Sequence, residues 1–143
     1  MKLTQISLFL ENRKGRLADV CSVLGKNKVN IRALTIAETD EFGVLRMVVD
    51  QPDKALATLR SNGFVASVTH IVAVEVDDRP GGLAAVLRVL TDAGLNIEYM
   101  YGFVEKKTDR ALMVFRFDDP DKALEVLRTN GINVVGQAEV QSL

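Results

Sequence analysis

The stretch VDDRPGGLAAVLRVLTDAGLNI, residues 76–97, decides the fold because the chain contains it twice. Residues 10–31 read LENRKGRLADVCSVLGKNKVNI. Arg13 aligns with Arg79, Gly15 with Gly81, Leu17 with Leu83, Asn30 with Asn96 and Ile31 with Ile97, each pair 66 positions apart. Further on, QPDKALATLRSNGF (51–64) aligns with DPDKALEVLRTNGI (119–132) at an offset of 68. The two additional residues fall most simply in the turn EKKTD, 105–109. Self-similarity at one period signals copies of one supersecondary unit. The expected modules are residues 1–69 and 70–143.

Working outward, each copy yields the same elements. LTQISLFL alternates in part and ends in a short apolar run, which predicts a strand. Leu17, Val20, Cys21 and Leu24, and then Leu83, Val86, Leu87 and Leu90, fall at i, i+3, i+4, i+7, one face of a helix. Gly25 and Gly94 stand near the helix ends, where glycine takes a positive φ. NIRALTIAE and NIEYMYGFVE read as strands. GVLRMVVD and RALMVFRFD follow as second strands after a short turn. Asp50 or Gln51, and Asp119, are candidate N-caps, with Pro52 and Pro120 early in a second helix. FVASVT and INVVGQ are expected to be the closing strands. Residues 64–76 pass from the last strand of one copy into the first strand of the next.

The order βαββαβ predicts an α+β fold. Each copy is a ferredoxin-like unit, an antiparallel four-stranded sheet with both helices on one face. Units this small are marginal alone. The short apolar connection predicts a docked tandem pair.

Composition narrows the function. The net charge of −1 supplies no broad basic field for nucleic acid or an anionic membrane. No run of about 18 apolar residues is present. The N-terminus lacks the pattern of a signal peptide, so a cytoplasmic protein is expected. One cysteine, Cys21, allows no internal disulfide and no thiol-rich metal site. It reads as a small core residue, and lone His70 as structural. FDDPDK (117–122) reads as a helix start, since calcium-loop spacing is missing. No cofactor or metal is expected.

The repeated turn is the candidate site. A helix N-terminus leaves backbone N–H groups unpaired and partly positive, and can hold a carboxylate. Gly15 and Gly81 allow close approach to the backbone. Asp78 suits an ammonium group, and Asn12 can hydrogen-bond one. Asn30 and Asn96 offer a donor and an acceptor, and the strand they open is expected to begin within reach of the turn. That set fits a free α-amino acid. The same residues also serve ordinary turn and N-cap chemistry. Tyr99, Tyr101 and Phe103 alternate onto one strand face, with Met100 on the other. They serve as packing or as the walls of a pocket favouring a bulky or aromatic ligand. Arg32, Leu34 and Ile36 are expected on that face in the first copy. Arg13, Lys14 and Arg16 form a basic cluster, read as a solvated turn, with recognition of an anion as the alternative.

The chain resembles a tandem pair of ACT domains, small-molecule-binding regulatory modules. The family's pattern is an apolar strand, a polar residue, Arg-Pro-Gly-x-Leu, a helix, Asn-Ile and a strand. The second copy is similar at Asp78, Arg79, Pro80, Gly81, Leu83, Asn96 and Ile97, with Gly82 at the free position. The first is similar at Asn12, Arg13, Gly15, Leu17, Asn30 and Ile31. It departs at Lys14, where proline is usual, and a looser first turn is expected. The resemblance implies paired domains, often joined edge to edge, with an amino acid held near the domain interface. It also implies regulation of an enzyme, here a separate one. A non-enzymatic regulator or sensor acting as a homodimer is therefore expected. The alternative is an RNA-binding or protein-interaction module of the same βαββαβ order. Against RNA stand the acidic balance and the missing aromatic-plus-glycine signature of the third strand.

Overall fold

The computed structural model describes residues 1–38, 40–104 and 109–143. The chain forms two compact units, one of Thr4–Thr69 and one joining His70–Leu143 with Met1–Leu3. Each is a βαββαβ module of the ferredoxin-like type.

The first unit contains β1 (Leu3–Glu11), α1 (Arg16–Lys26), β2 (Ile31–Glu38), β3 (Phe42–Val49), α2 (Pro52–Ser61) and the first part of β4 (Val65–Asp77). β3 pairs antiparallel with β1 and with β2, and the strand order is β2-β3-β1-β4. Alternation divides the sheet into two faces. Ile6, Leu8 and Leu10 of β1 and Leu45, Met47 and Val49 of β3 share one face. They form a core with Val20 and Leu24 of α1 and Ala55 and Leu59 of α2. Each fully buried leucine contributes roughly 1.5–3 kcal/mol relative to an exposed one. Of the predicted α1 stripe, Val20 and Leu24 are buried, Cys21 is half-buried and Leu17 is 38% exposed.

The second unit takes the rest of β4, then α3 (Gly82–Asp92), β5 (Ile97–Gly102), β6 (Arg110–Phe117), α4 (Pro120–Thr129), β7 (Val134–Val135) and α5 (Gln137–Gln141). The order β7-β4-β6-β5 is antiparallel throughout. Val72, Val74, Val76, Phe115 and Phe117 face Val86 and Leu90 of α3 and Ala123 and Leu127 of α4. Asp119 caps α4, accepting from Lys122 N–H at 3.1 Å. In the first unit Gln51 holds the N-cap position of α2 without a side-chain cap bond.

Three expectations need correction. The last strand of the second copy is only Val134–Val135, and Gln137–Gln141 is helical. Gly25 lies inside α1, and the left-handed residue of the first copy is Lys28 at φ 58, the counterpart of Gly94 at φ 78. The first-copy partners of Tyr99 and Tyr101 are Ala33 and Thr35. Both β2 and β5 carry a bulge, between Ile31 and Ala33 and between Ile97 and Tyr99. The bulges match at an offset of 66, so Leu34 and Ile36, one residue out of step with the tyrosines, pair with Met47 and Leu45 on the helix side. The turn assigned the two additional residues lies, at 105–108, outside the described residues.

Candidate functional site

The strand-to-helix turns close with the same bonds in both copies. Arg79 N–H donates to Asp77 O at 2.9 Å, Gly82 N–H to Arg79 O at 2.9 Å, and Ala85 N–H to Gly81 O at 3.0 Å. In the first copy Arg13 N–H donates to Glu11 O at 2.8 Å, Arg16 N–H to Arg13 O at 3.2 Å, and Asp19 N–H to Gly15 O at 2.9 Å. Gly81 (φ 83) and Gly15 (φ 89) cap α3 and α1 in the left-handed region, where a Cβ is strained. Lys14 thus closes the same turn as Pro80, and the expected loosening is not seen in these bonds. The amides of Leu83 and Ala84, like those of Leu17 and Ala18, fall in a first helical turn. A helix offers no acceptor there.

Neighbouring positions diverge. A Cβ on Gly82 would lie 1.9 Å from Asp77 O, so the helix start packs directly against the end of β4. The first copy has Arg16 at that position. Its guanidinium carbon stands 4.7 Å over the ring of Phe64, and its side chain is 21% exposed. The solvated turn expected for this arginine is therefore corrected.

Each turn borders a cavity. The one at the second turn measures about 400 Å³ and is lined by Asp77, Asp78, Arg79, Asp109 and Arg110. Asp77 bridges its two guanidinium groups, with Oδ2 at 3.3 Å from Arg79 and Oδ1 at 3.2 Å from Arg110. Arg110 also reaches Glu75 at 3.6 Å. The cavity at the first turn is smaller, about 140 Å³, and brings Arg13 and Arg16 beside the carboxylates of Glu11 and Glu38 and the apolar Leu10, Leu17 and Ile36. Asn12 donates from Nδ2 to Asp40 O at 3.2 Å.

The two asparagines do not join the turn of their own unit. β5 is antiparallel to β6, and β6 to β4, so β5 runs parallel to β4 and begins at the far end of the sheet. Asp77 pairs with Arg110 at the start of β6, whereas Asn96 N–H donates to Asp118 Oδ1 at 3.2 Å, just past its end. Eight residues of β6 separate them, about 25 Å at roughly 3.3 Å per residue. The expectation that this strand begins near the turn fails because a crossover helix returns the chain to the bottom of the sheet. Asp118 N–H donates back to Asn96 O, and Asn30 with Asp50 repeats both bonds. Ile31 and Ile97, next along, pack partly against the two cores. Tyr99 and Tyr101 stack with ring centroids 6.5 Å apart on the helix-free face. Tyr101 pairs with Val114, four residues or about 13 Å along β6 from Arg110.

Sequence reasoning missed Asp77, Asp109 and Arg110 at the second turn and Leu10 and Ile36 at the first. Their strands were recognised, but only the register places them at the turn. Among the described residues no cluster of His, Cys, Asp and Glu suits a metal, and no helix is long and apolar enough to cross a membrane.

Two ferredoxin-like modules in tandem, each with a left-handed glycine opening its first helix, define the class of protein. The chain belongs to the family described as an ACT domain pair, whose match covers residues 1–143. It is 29% identical over 150 residues to the acetolactate synthase small subunit of Mycolicibacterium smegmatis, spanning 96% of this chain and 88% of that one. Among solved structures it is similar to protein BT0572 of Bacteroides thetaiotaomicron, at 40% identity and a TM-score of 0.94, covering 100% and 98% of the two chains. The ligand-free regulatory subunit of aspartate kinase from Thermus thermophilus shares the fold at 18% identity and a TM-score of 0.63, covering 88% and 91%.

Proposed function

We propose that the chain is a non-catalytic regulatory or sensor protein that binds a free amino acid at its strand-to-helix turns and acts on a separate enzyme. The observation that carries this is the twin turn, closed by matching bonds in both copies and leaving first-turn amides with no helical acceptor. The α-carboxylate is held by those amides after Gly15 or Gly81, where the helix dipole favours negative charge. In the second copy Asp78 and Asp109 border the same cavity and offer carboxylates to the ammonium group. Asn30, Asn96, Tyr99 and Tyr101 stand too far along their sheets to serve the turn of their own unit. They enter the proposal as groups brought by a second copy of the chain, so the working form is a homodimer. The relative named a small subunit favours a chain that works beside a larger enzyme. Cytoplasmic placement is part of the same proposal.

A thermal-shift screen tests it, with all common amino acids on full-length protein refolded to remove carried-over ligand. A ligand at a hundred times its Kd adds roughly 2.7 kcal/mol, a rise of roughly 10 °C for a chain of this size. Asp78→Ala is expected to lose most of the shift at the second turn. No stabilisation by any amino acid at millimolar concentration contradicts the proposal.

A further inference from the structure

The two modules also part company on the sheet face that carries no helices. In the first, Phe9 of β1 pairs with Val44 of β3, Val44 with Ala37 of β2, and Glu11 with Phe42. Leu8, Leu10 and Leu45 belong to the helix-side core, so alternation puts Phe9, Phe42, Val44 and Ala37 together on the opposite face. Phe9 is 60% exposed and Phe42 49%. We propose that this face is a contact between two copies of the chain, first module on first module about a two-fold axis. The inference rests on the homodimer reading and goes beyond it by naming the surface.

The second module shows that the fold does not require these phenylalanines. Glu75 pairs with Leu112 and Asp77 with Arg110, as Phe9 pairs with Val44 and Glu11 with Phe42. Glu75 therefore stands in the place of Phe9, and Arg110 in that of Phe42. The two charges lie 3.6 Å apart, and Arg110 also reaches Asp77 at 3.2 Å. Leu112 and Phe103 align with Val44 and Ala37 and keep their apolar character. The exchange is confined to the two phenylalanines. A phenylalanine buries about 150–250 Å² in a contact, and neighbouring exposed apolar side chains mark an interaction surface.

Charge selects the partner. If the first module of one chain stacked on the second module of another, Phe9 and Phe42 would sit on the Glu75–Arg110 pair. That contact strips water from both charges and returns no bond. Like on like carries no such cost. Arg46 pairs with Ser7, four residues or about 13 Å along β1 from Glu11. By the same alternation both charges share the face of the phenylalanines. The apolar band thus has a carboxylate at one end and a guanidinium at the other. A two-fold axis in the plane of contact, perpendicular to the strands, reverses one copy against its neighbour. Phenylalanines then meet phenylalanines, and Glu11 of each copy faces the partner's Arg46. A specific contact takes about 800 Å² from each side, so the phenylalanines form its centre and the charges its rim.

Sedimentation velocity of the full chain over a concentration series tests the surface. Wild type is expected to form a dimer. Phe9→Ser combined with Phe42→Ser is expected to weaken it by a hundredfold or more, with circular dichroism reporting the fold of the variant. Glu11→Arg is expected to weaken it about tenfold. Glu11→Arg combined with Arg46→Glu restores it, because the exchange reverses both members of each pair across the axis. The charge exchange leaves the phenylalanines in place, so it tests the contact even where the serine variant does not fold. Glu75→Gln in the second module leaves the dimer unchanged. A dimer that survives both serine substitutions overturns this inference alone, as does a charge exchange that fails to restore it. A wild-type chain that stays monomeric at every concentration overturns the homodimer reading with it, while the amino-acid screen judges ligand binding separately.

Discussion

Arg16 and Gly82 occupy the same position in the two copies and do different work. Gly82 lets α3 start in contact with the end of β4, because its Cα hydrogen faces Asp77 O where a Cβ would come within 1.9 Å. Gly82→Ala must push the backbone apart and is expected to cost about 3 kcal/mol, read as a lowered urea midpoint. Lys28 is a mismatch of another kind. It takes φ 58 after α1, where the second copy has Gly94 at φ 78. Left-handed backbone costs a residue with a Cβ roughly 1–2 kcal/mol. After the larger unfolded-state entropy of glycine is subtracted, Lys28→Gly is expected to stabilise the chain by about 0.5–1 kcal/mol. A lowered midpoint in that variant contradicts this reading of the turn. Sequence alone pointed to Gly25 here, because a glycine near a helix end attracts the cap. The alignment of Lys28 with Gly94 was the signal that locates the cap.

At the scale of elements, the helices and most strands were legible because their periods were clean. The stripe Val86–Leu90 is buried as spaced, and β4 runs unbroken from Val65 to Asp77. What escaped were features that depend on register. The bulges in β2 and β5 fall at matching positions, so the offset of 66 carries through them and places Ala33 and Thr35, not Leu34 and Ile36, on the face of Tyr99 and Tyr101. The start of β5 lies at the far end of the sheet because the helix before it reverses the chain, a geometric fact no local motif states. The closing strand INVVGQ failed where Gly136 leads into α5, whose Val140 is fully buried. The Asn–Asp corners behave as elements of structure in both copies. Asp118 accepts from Asn96 N–H and from Asp119 N–H. Asp118→Ala removes both bonds and is expected to cost about 1–2 kcal/mol, measured by denaturant titration. Asp50→Ala, which removes the matching bond to Asn30 N–H, is expected to cost less.

For the whole molecule, duplication made one fold and two unlike sites. The cores repeat position by position, and the turns repeat bond by bond. The side chains around them have diverged in charge and in room, from about 140 Å³ at the first turn to about 400 Å³ at the second. That divergence is legible as Arg16 against Gly82, but its meaning needed the packing of Phe64 and the register of β2. The most direct measurement follows the backbone amides of the two turns by nuclear magnetic resonance as an amino acid is titrated into the full chain. Saturable shifts concentrated at the amides of Leu17 and Ala18, or of Leu83 and Ala84, are predicted. Saturable binding that leaves all four unmoved, with shifts confined elsewhere, would contradict the account.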